Sequence, residues 1–373
     1  MCIRDRLLLT LNKPISKQVS LKFGIISIKS ETCMTAKEKL YKALNKNAFF
    51  SAFFEARRIR RHRDRVEQVR SSSYNFTDRS KGSDKLCIIL AGYKEPLWDD
   101  VFSRIEAAAP GDLDICIMTS GLQNEGLKKV AADHNWSYLS TEINHLSLIQ
   151  NLAIELHPSA KWIFKLDEDM FLPKTYFEPL IETYNLVKNK SFYEPAFVSP
   201  LINVSCYGHI RLLEKCNLLE DFRATGLTSM KITDGIHHNK AVLENPEVAK
   251  YLWGATQPVL RDVDALTECF MRDPLAFTIC ATRYSIGAIL FTRKAWEEFG
   301  KFPLTFVGSE YGLGDDEEHI CHYACFTGRG MVVSENIIVG HLGYGPQTKD
   351  MVEYYLEHKD RFASPYACLK KEG

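Results

Sequence analysis

Two hydrophobic patterns alternate along most of the chain. Leu86-Cys-Ile-Ile-Leu-Ala91 and Leu113-Asp-Ile-Cys-Ile-Met118 are short apolar runs, the first stopped by Gly92 and the second by Thr119-Ser120-Gly121. Such runs predict strands covered on both faces. Pro96–Ala109 and Gln123–His134 carry helical spacing instead, and Ser137–Thr141 predicts a short third strand. Asn144 is placed to cap a helix bearing Leu146, Ile149, Leu152 and Leu156 on one side. An apolar run from Lys161 then breaks into Asp167-Glu-Asp169, followed by a helix led by Pro173 to Val187 and a strand over Ala196–Val204. Strands alternating with helices imply crossover units, so the predicted fold is α/β, doubly wound around a mostly parallel sheet.

Residues 205–275 break the alternation. His209–Phe222 and Asn245–Trp253 read as helices, the second with Asn245 as cap, Pro246 first and Gly254 after its end. This block is expected to be a helical insertion beside the sheet. Strand character returns at Ile286–Phe291, then a helix over Arg293–Phe299 and a glycine-punctuated loop to Gly314. The expected organisation is a main domain over 85–345 and a C-terminal helix and tail over 346–373. Ahead of it, 1–33 reads as a disordered or artefactual leader with Met34 as the expected start. Residues 34–84 read as a basic amphipathic helix running to Arg70, with Ser71–Ser83 as linker.

Composition narrows the function classes. Of 373 residues 45% are hydrophobic, enough for a sizeable core, and Lys+Arg balance Asp+Glu at 47 each. No global charge therefore points to nucleic acid or a membrane surface. The local exception is Arg57–Arg70, whose seven arginines oppose Asp64 and Glu67 and suit peripheral contact with an anionic membrane. The eleven cysteines form no Cys-x-x-Cys pair, which reads as buried thiols in a reducing compartment. No run approaches the ~18 apolar residues of a membrane span. The expected location is cytoplasmic, peripheral to a membrane at most, with the sequons at Asn75 and Asn203 incidental.

Three elements carry candidate chemistry. Alternation along a strand points Asp167 and Asp169 the same way, at the strand end where open α/β sheets bind ligands. Two carboxylates there suit a hard divalent cation, although a solvated acidic turn has the same sequence. Asp315-Asp-Glu-Glu318 starts a predicted helix; acids there satisfy the helix dipole, and one held over a cleft suits a general base. His319 and His322 lie one turn apart, with Glu318 and His322 on one face, a metal-ligand spacing with no evident third ligand. His341 follows the apolar run Ile337-Ile-Val339 between Gly340 and Gly343, where the backbone can approach a bound group.

In this order these elements resemble the nucleotide-sugar-dependent glycosyltransferases of the GT-A fold, family 2-like, over about Lys85 to Tyr344. Asp167-Glu168-Asp169 stands at the family's Asp-x-Asp motif, Asp315-Asp316 at its Glu-Asp, and His341 at its metal-binding histidine. Tyr284-Ser-Ile-Gly-Ala-Ile-Leu-Phe-Thr-Arg293, with Trp296 and Gly300-Lys-Phe302, is similar to the acceptor-side strand and helix. Gln150-Asn151 falls at its Arg-Asn. The resemblance implies metal-dependent, inverting transfer of a sugar from a nucleoside-diphosphate donor to the hydroxyl of a glycan or lipid-linked acceptor, as in surface polysaccharide or glycolipid synthesis. It implies Mn²⁺ or Mg²⁺ on Asp169 and His341 with help from Asp167, and Asp316 as catalytic base. It places the donor against Ala91, Gly92, Tyr93, Glu95, Ser120, Gln150, Asp167 and Glu168, and the acceptor against Asp315 and Gly314; on the acceptor side Trp253 and Tyr284 are candidate flat faces for a sugar ring, with core packing the commoner use of such aromatics. The second strand departs from the pattern, ending in Thr119-Ser120-Gly121 where the family carries an acid that reads the base.

Rival classes make different demands. A nucleotidyltransferase needs a loop rich in Gly and Arg/Lys after the first strand, and Ala91–Pro96 offers Gly92 and Lys94. A catalytically silent sugar- or nucleotide-binding scaffold would bind without turnover. A metal-dependent nuclease needs a basic groove that the main domain lacks, so no nucleic-acid partner is expected.

Overall fold

The computed structural model describes residues 48–234, 237–282, 284–305 and 314–363. The predicted leader, its start at Met34 and the end of the tail lie outside them. Helix α1 (Ala48–Arg70) leads by strand β1 (Tyr74–Thr77) to β2 (Lys85–Leu90), α2 (Trp98–Ala108), β3 (Asp114–Ser120) and α3 (Glu125–Asp133). Next come β4 (Ser137–Thr141), α4 (Leu146–Leu156), β5 (Trp162–Asp167), β6 (Met170–Phe171), α5 (Phe177–Lys190) and β7 (Pro195–Ile202). The insertion holds α6 (Gly208–Lys215), α7 (Leu219–Ala224), a hairpin of β8 (Thr233–Asp234) and β9 (His237–His238), α8 (Lys240–Glu244), α9 (Pro246–Leu252) and α10 (Val263–Phe270). The chain continues through β10 (Phe277–Ile279), β11 (Ala288–Thr292), α11 (Arg293–Glu298), α12 (Asp315–Thr327), β12 (Gly330–His341) and α13 (Thr348–Glu357).

The main sheet runs β1-β4-β3-β2-β5-β11-β7-β12-β10, mostly parallel, with helices against it. Strands β2 to β5 are mutually parallel, β7 and β12 are parallel to each other, and β11 runs antiparallel between β5 and β7. The apolar runs of β2 and β3 form the buried middle, with Leu86, Cys87, Ile88, Ile89 and Cys116, Ile117, Met118 fully covered. From β2 the chain winds outward through β3 and β4, then returns to lay β5 on the other side of β2. That reversal makes the carboxyl ends of β2 and β5 a switch point, the place where such sheets hold ligands in a crevice. Strand β6 pairs with the end of β12, setting His341 opposite Met170. The Asp-Glu-Asp turn and the histidine, 172 positions apart from Asp169 to His341, are thereby brought together.

Several boundaries move. The predicted linker contains β1, an edge strand paired antiparallel with β4, Tyr74 opposite Thr141. The cap of α4 is His145 rather than Asn144; its ring accepts from the Leu148 N–H. The predicted helix over His209–Phe222 divides at Asn217, whose φ of +56° no helix interior accommodates. Helix α1 is basic, and all seven arginines between Arg57 and Arg70 are exposed. Among the described residues no helix is long and apolar enough to cross a membrane. The described cysteines are free thiols, five of them buried. Asn203, one of the two sequon asparagines, is buried at the end of β7 and cannot carry a glycan in this fold.

Candidate active site

The acidic turn at the end of β5 divides its three carboxylates between three tasks. Glu168 turns inward and accepts from the backbone N–H groups of Gly92 (2.9 Å) and Tyr93 (3.0 Å) and from the Trp98 indole (2.7 Å). It thereby clamps the loop after β2 to the turn. Asp167, half-exposed, takes the Lys165 ammonium at 2.7 Å, which also donates to the Ile286 carbonyl at 3.0 Å. Asp169 is buried; its Oδ2 is bonded by the Lys94 ammonium and lies 3.3 Å from His341 Nε2.

Burial and neighbours push the two aspartates apart. Desolvation raises the Asp167 carboxyl above its ordinary pKa, and Asp169 and Asp316 add to the rise against the opposing pull of Lys165. Asp169 is also penalised by burial, but Lys94 and His341 outweigh it and hold the carboxyl well below the usual carboxylate range. Lys165 is buried, yet Asp167 and Asp316 keep its ammonium charged above the normal lysine value.

His341 is fixed from three sides. Its backbone N–H donates to Asn203 Oδ1 (2.8 Å), its carbonyl accepts from the Trp253 indole (2.8 Å), and its Nδ1 faces the Val204 carbonyl at 2.9 Å. A carbonyl only accepts, so Nδ1 carries a proton, and Nε2 is the ring nitrogen turned to Asp169. A histidine anchored through Nδ1–H with Nε2 turned to a carboxylate is the arrangement metal ligands adopt. Nε2 and Asp169 Oδ2, 3.3 Å apart, can share either the second ring proton or, with that proton gone, a metal cation held by both atoms. The donor set thus fits a divalent ion, with Lys94 holding the cation position on the same oxygen. Among the described residues no three His, Cys, Asp or Glu side chains form a complete metal cluster, so further ligands would have to be substrate oxygens or water.

Asp316 enters from the start of α12. It is buried; its Oδ2 accepts from Gln150 Nε2 at 2.8 Å, and its charge is felt by both Lys165 and Asp167. Its Oδ1 folds back over Gly314, where an added Cβ would stand 2.2 Å away. Next to it Glu317 lies 3.5 Å from the buried His238 ring, carried by β9.

The four residues on which the sequence reading depends, Asp167, Asp169, Asp316 and His341, therefore meet at one end of the sheet. Around them the placements are mixed. In the loop after β2 Ala91 is buried, Gly92 half-buried and Tyr93 and Glu95 exposed, and Asp315 and Gly314 are half-exposed at the head of α12. Trp253 and Tyr284 are corrections: both are buried. Trp253 packs on Phe171 and Phe362, and the Tyr284 hydroxyl donates to the Pro200 carbonyl, so neither offers a face to a sugar. Ser120 and Gln150 are also buried, Ser120 accepting from the His145 N–H and Gln150 orienting Asp316. With Glu168, they shape the site from behind. Gly340 gives room to the Trp253 ring, 2.2 Å from an added Cβ, rather than to a ligand. His319 contacts the Phe299 carbonyl and His322 is exposed beside Glu318, so that pair gathers no further ligand. Lys165 and His238 were not singled out by sequence reasoning, and Lys94, Asn203 and Glu317 were read only as a loop lysine, a sequon and part of the acidic run. Only the run Lys165-Leu-Asp167, with a cation and an acid on one face of a strand, carried a readable signal.

No protein-family model matches this chain, and no curated protein sequence does. Solved structures are similar at a distance. The mannosyltransferase PcManGT from Pyrobaculum calidifontis, in complex with GDP-Man and Mn²⁺, is 13% identical with a TM-score of 0.39, over 82% of this chain and 68% of that one. S. aureus TarS 1-349 in complex with UDP is 11% identical with a TM-score of 0.26, over 32% of this chain and 35% of that one.

Proposed function

We propose that the chain transfers a sugar from a nucleoside-diphosphate donor to an acceptor hydroxyl with inversion at the anomeric carbon. The observation that supports this reading is the meeting of Asp167, Asp169, Asp316 and His341 at the switch point of the sheet. The acceptor oxygen attacks the anomeric carbon, and its proton passes to Asp316, held by Gln150. The bond from that carbon to the diphosphate breaks, and its electron pair leaves on the phosphate oxygen. A general base of this kind contributes on the order of 10²–10⁴-fold. Asp169 and His341 would hold a Mn²⁺ or Mg²⁺ ion, which when bound neutralises charge on the leaving diphosphate. Asp167, secured by Lys165, is left to contact the donor's ribose or sugar.

A thermal-shift panel of nucleoside diphosphates and their sugar conjugates, with and without Mn²⁺, tests the reading. A ligand at a hundred times its Kd adds about 2.7 kcal/mol, a shift of several degrees. The expected result is stabilisation by one nucleotide series that depends on metal. Asp316→Asn should keep that stabilisation and lose turnover by roughly 10²–10⁴-fold. A protein that responds to no nucleoside diphosphate in any metal is not this enzyme.

A further inference from the structure

Lys94 caps the short 3₁₀ turn Glu95–Leu97 in the loop after β2, and its side chain is 21% exposed. Its ammonium rests on Asp169 Oδ2, the same oxygen that faces His341 Nε2 at 3.3 Å. Asp167 and Glu168 surround it with further negative charge. An ion held by Asp169 Oδ2 and His341 Nε2 would share that oxygen with the ammonium. That brings a double positive charge close against an ammonium bonded to the same oxygen, and the two repel. Lysine is a compact charge on a flexible four-carbon stem, so it can leave without the loop moving. The nearest new negative charge would be the donor's diphosphate, at the switch point this loop borders.

Resting on the proposed sugar transfer, we propose that Lys94 is an exchangeable counter-ion. It occupies Asp169 while the site is empty, gives way to the divalent cation, and then pairs with the donor's diphosphate. Lys94 thereby couples the two ligands: metal alone binds weakly, and nucleotide strengthens it by relieving the repulsion. By linkage, metal strengthens nucleotide by the same factor.

The test is direct Mn²⁺ titration of the full chain, by calorimetry or by loss of the free-ion EPR signal, with and without UDP or GDP. Lys94→Met should bind Mn²⁺ alone roughly tenfold more tightly than the unaltered protein, and the enhancement by nucleoside diphosphate should shrink by a similar factor. Lys94→Gln repeats the measurement should the Met variant fold poorly. Asp169→Asn separates the failures. If it abolishes Mn²⁺ binding while both Lys94 variants bind as the parent does, the ion site stands and the counter-ion role is overturned. If Asp169→Asn binds Mn²⁺ as well as the parent, the proposed site falls and the counter-ion role with it.

Discussion

Replacing Lys165 by Met removes the charge on which the acidic end of β5 depends. The side chain is 4% exposed, and its ammonium bonds Asp167 Oδ1 at 2.7 Å and the Ile286 carbonyl at 3.0 Å, with Asp316 and Glu317 adding to its field. Breaking a buried ion pair by deleting one partner costs about 3–5 kcal/mol. Here the Asp167 side chain is 32% exposed and water can take over part of its solvation, which puts the pair at the lower end. The orphaned Ile286 carbonyl adds about 1 kcal/mol, so the expected loss is roughly 3–4 kcal/mol. Because the Lys165 pKa is raised, its contribution is fully present below the ordinary lysine value and disappears only as pH rises through the folded one. Urea unfolding at pH 7 therefore reads all of it. A double-mutant cycle with Asp167→Asn isolates the pair. Once Asp167 is neutral, Lys165→Met should cost about 1–3 kcal/mol less than in the parent. Additive losses, agreeing within about 0.5 kcal/mol, would refute the argument that Lys165 acts through Asp167.

Other parts of the structure make separate demands. Gly314→Ala meets no backbone strain at φ −69°, but its Cβ falls 2.2 Å from Asp316 Oδ1, so the flexible carboxylate must swing aside. Turnover should drop by at least about tenfold, with up to 10² for an ångström of misplacement, while the melting temperature barely moves; full activity would show that Asp316 does not act from this position. Arg104 donates to Asp264 (2.7 Å) and to the carbonyls of Leu172, Phe362 and Ala363, tying α2 and α10 to the C-terminal segment. Arg104→Leu should cost about 3–5 kcal/mol in thermal or urea unfolding, and a loss under 1 kcal/mol would contradict it. His209 is buried with Nδ1 on the Ser205 carbonyl, and burial, against that hydrogen bond, pushes its pKa down to about 4. Between pH 6.5 and 4 the unfolded chain holds the proton and the folded one does not, so stability falls with acid, by about 3 kcal/mol in all. His209→Leu should flatten that part of a urea-midpoint profile, and an unchanged slope would sink the assignment.

What could be read from the sequence follows from how local its physical cause is. Strands β2 and β3 are legible because a strand buried on both faces must be apolar throughout, and nothing outside the run is needed to see it. Asp167, Asp169 and His341 are legible because each stands where an apolar run stops, and the end of a strand is a position. Strand β12 is not: it carries Ser334-Glu335-Asn336 in its buried middle. Those residues are stable there because Arg211, 124 positions away, forks onto Glu335, and the Phe270 carbonyl takes Asn336. Edge strands β1 and β10 are short and half-exposed, and their pairing partners supply what their own patterns lack. The same separation governs the site. An aspartate announces a charge, but whether that charge is free, paired or buried is decided by whichever chain segment folds over it. Lys94 is 75 residues from Asp169, and the sequence offers it only as a cation in the loop after β2, with no sign of the acid it pairs with. Trp253 and Tyr284 read as candidate faces for a sugar because aromatic residues serve both as ring platforms and as core, and only the strands packed over them decide which. Sequence thus locates the chemistry that strand ends impose, whereas the counter-charges that set its electrostatics become visible only once the sheet has closed.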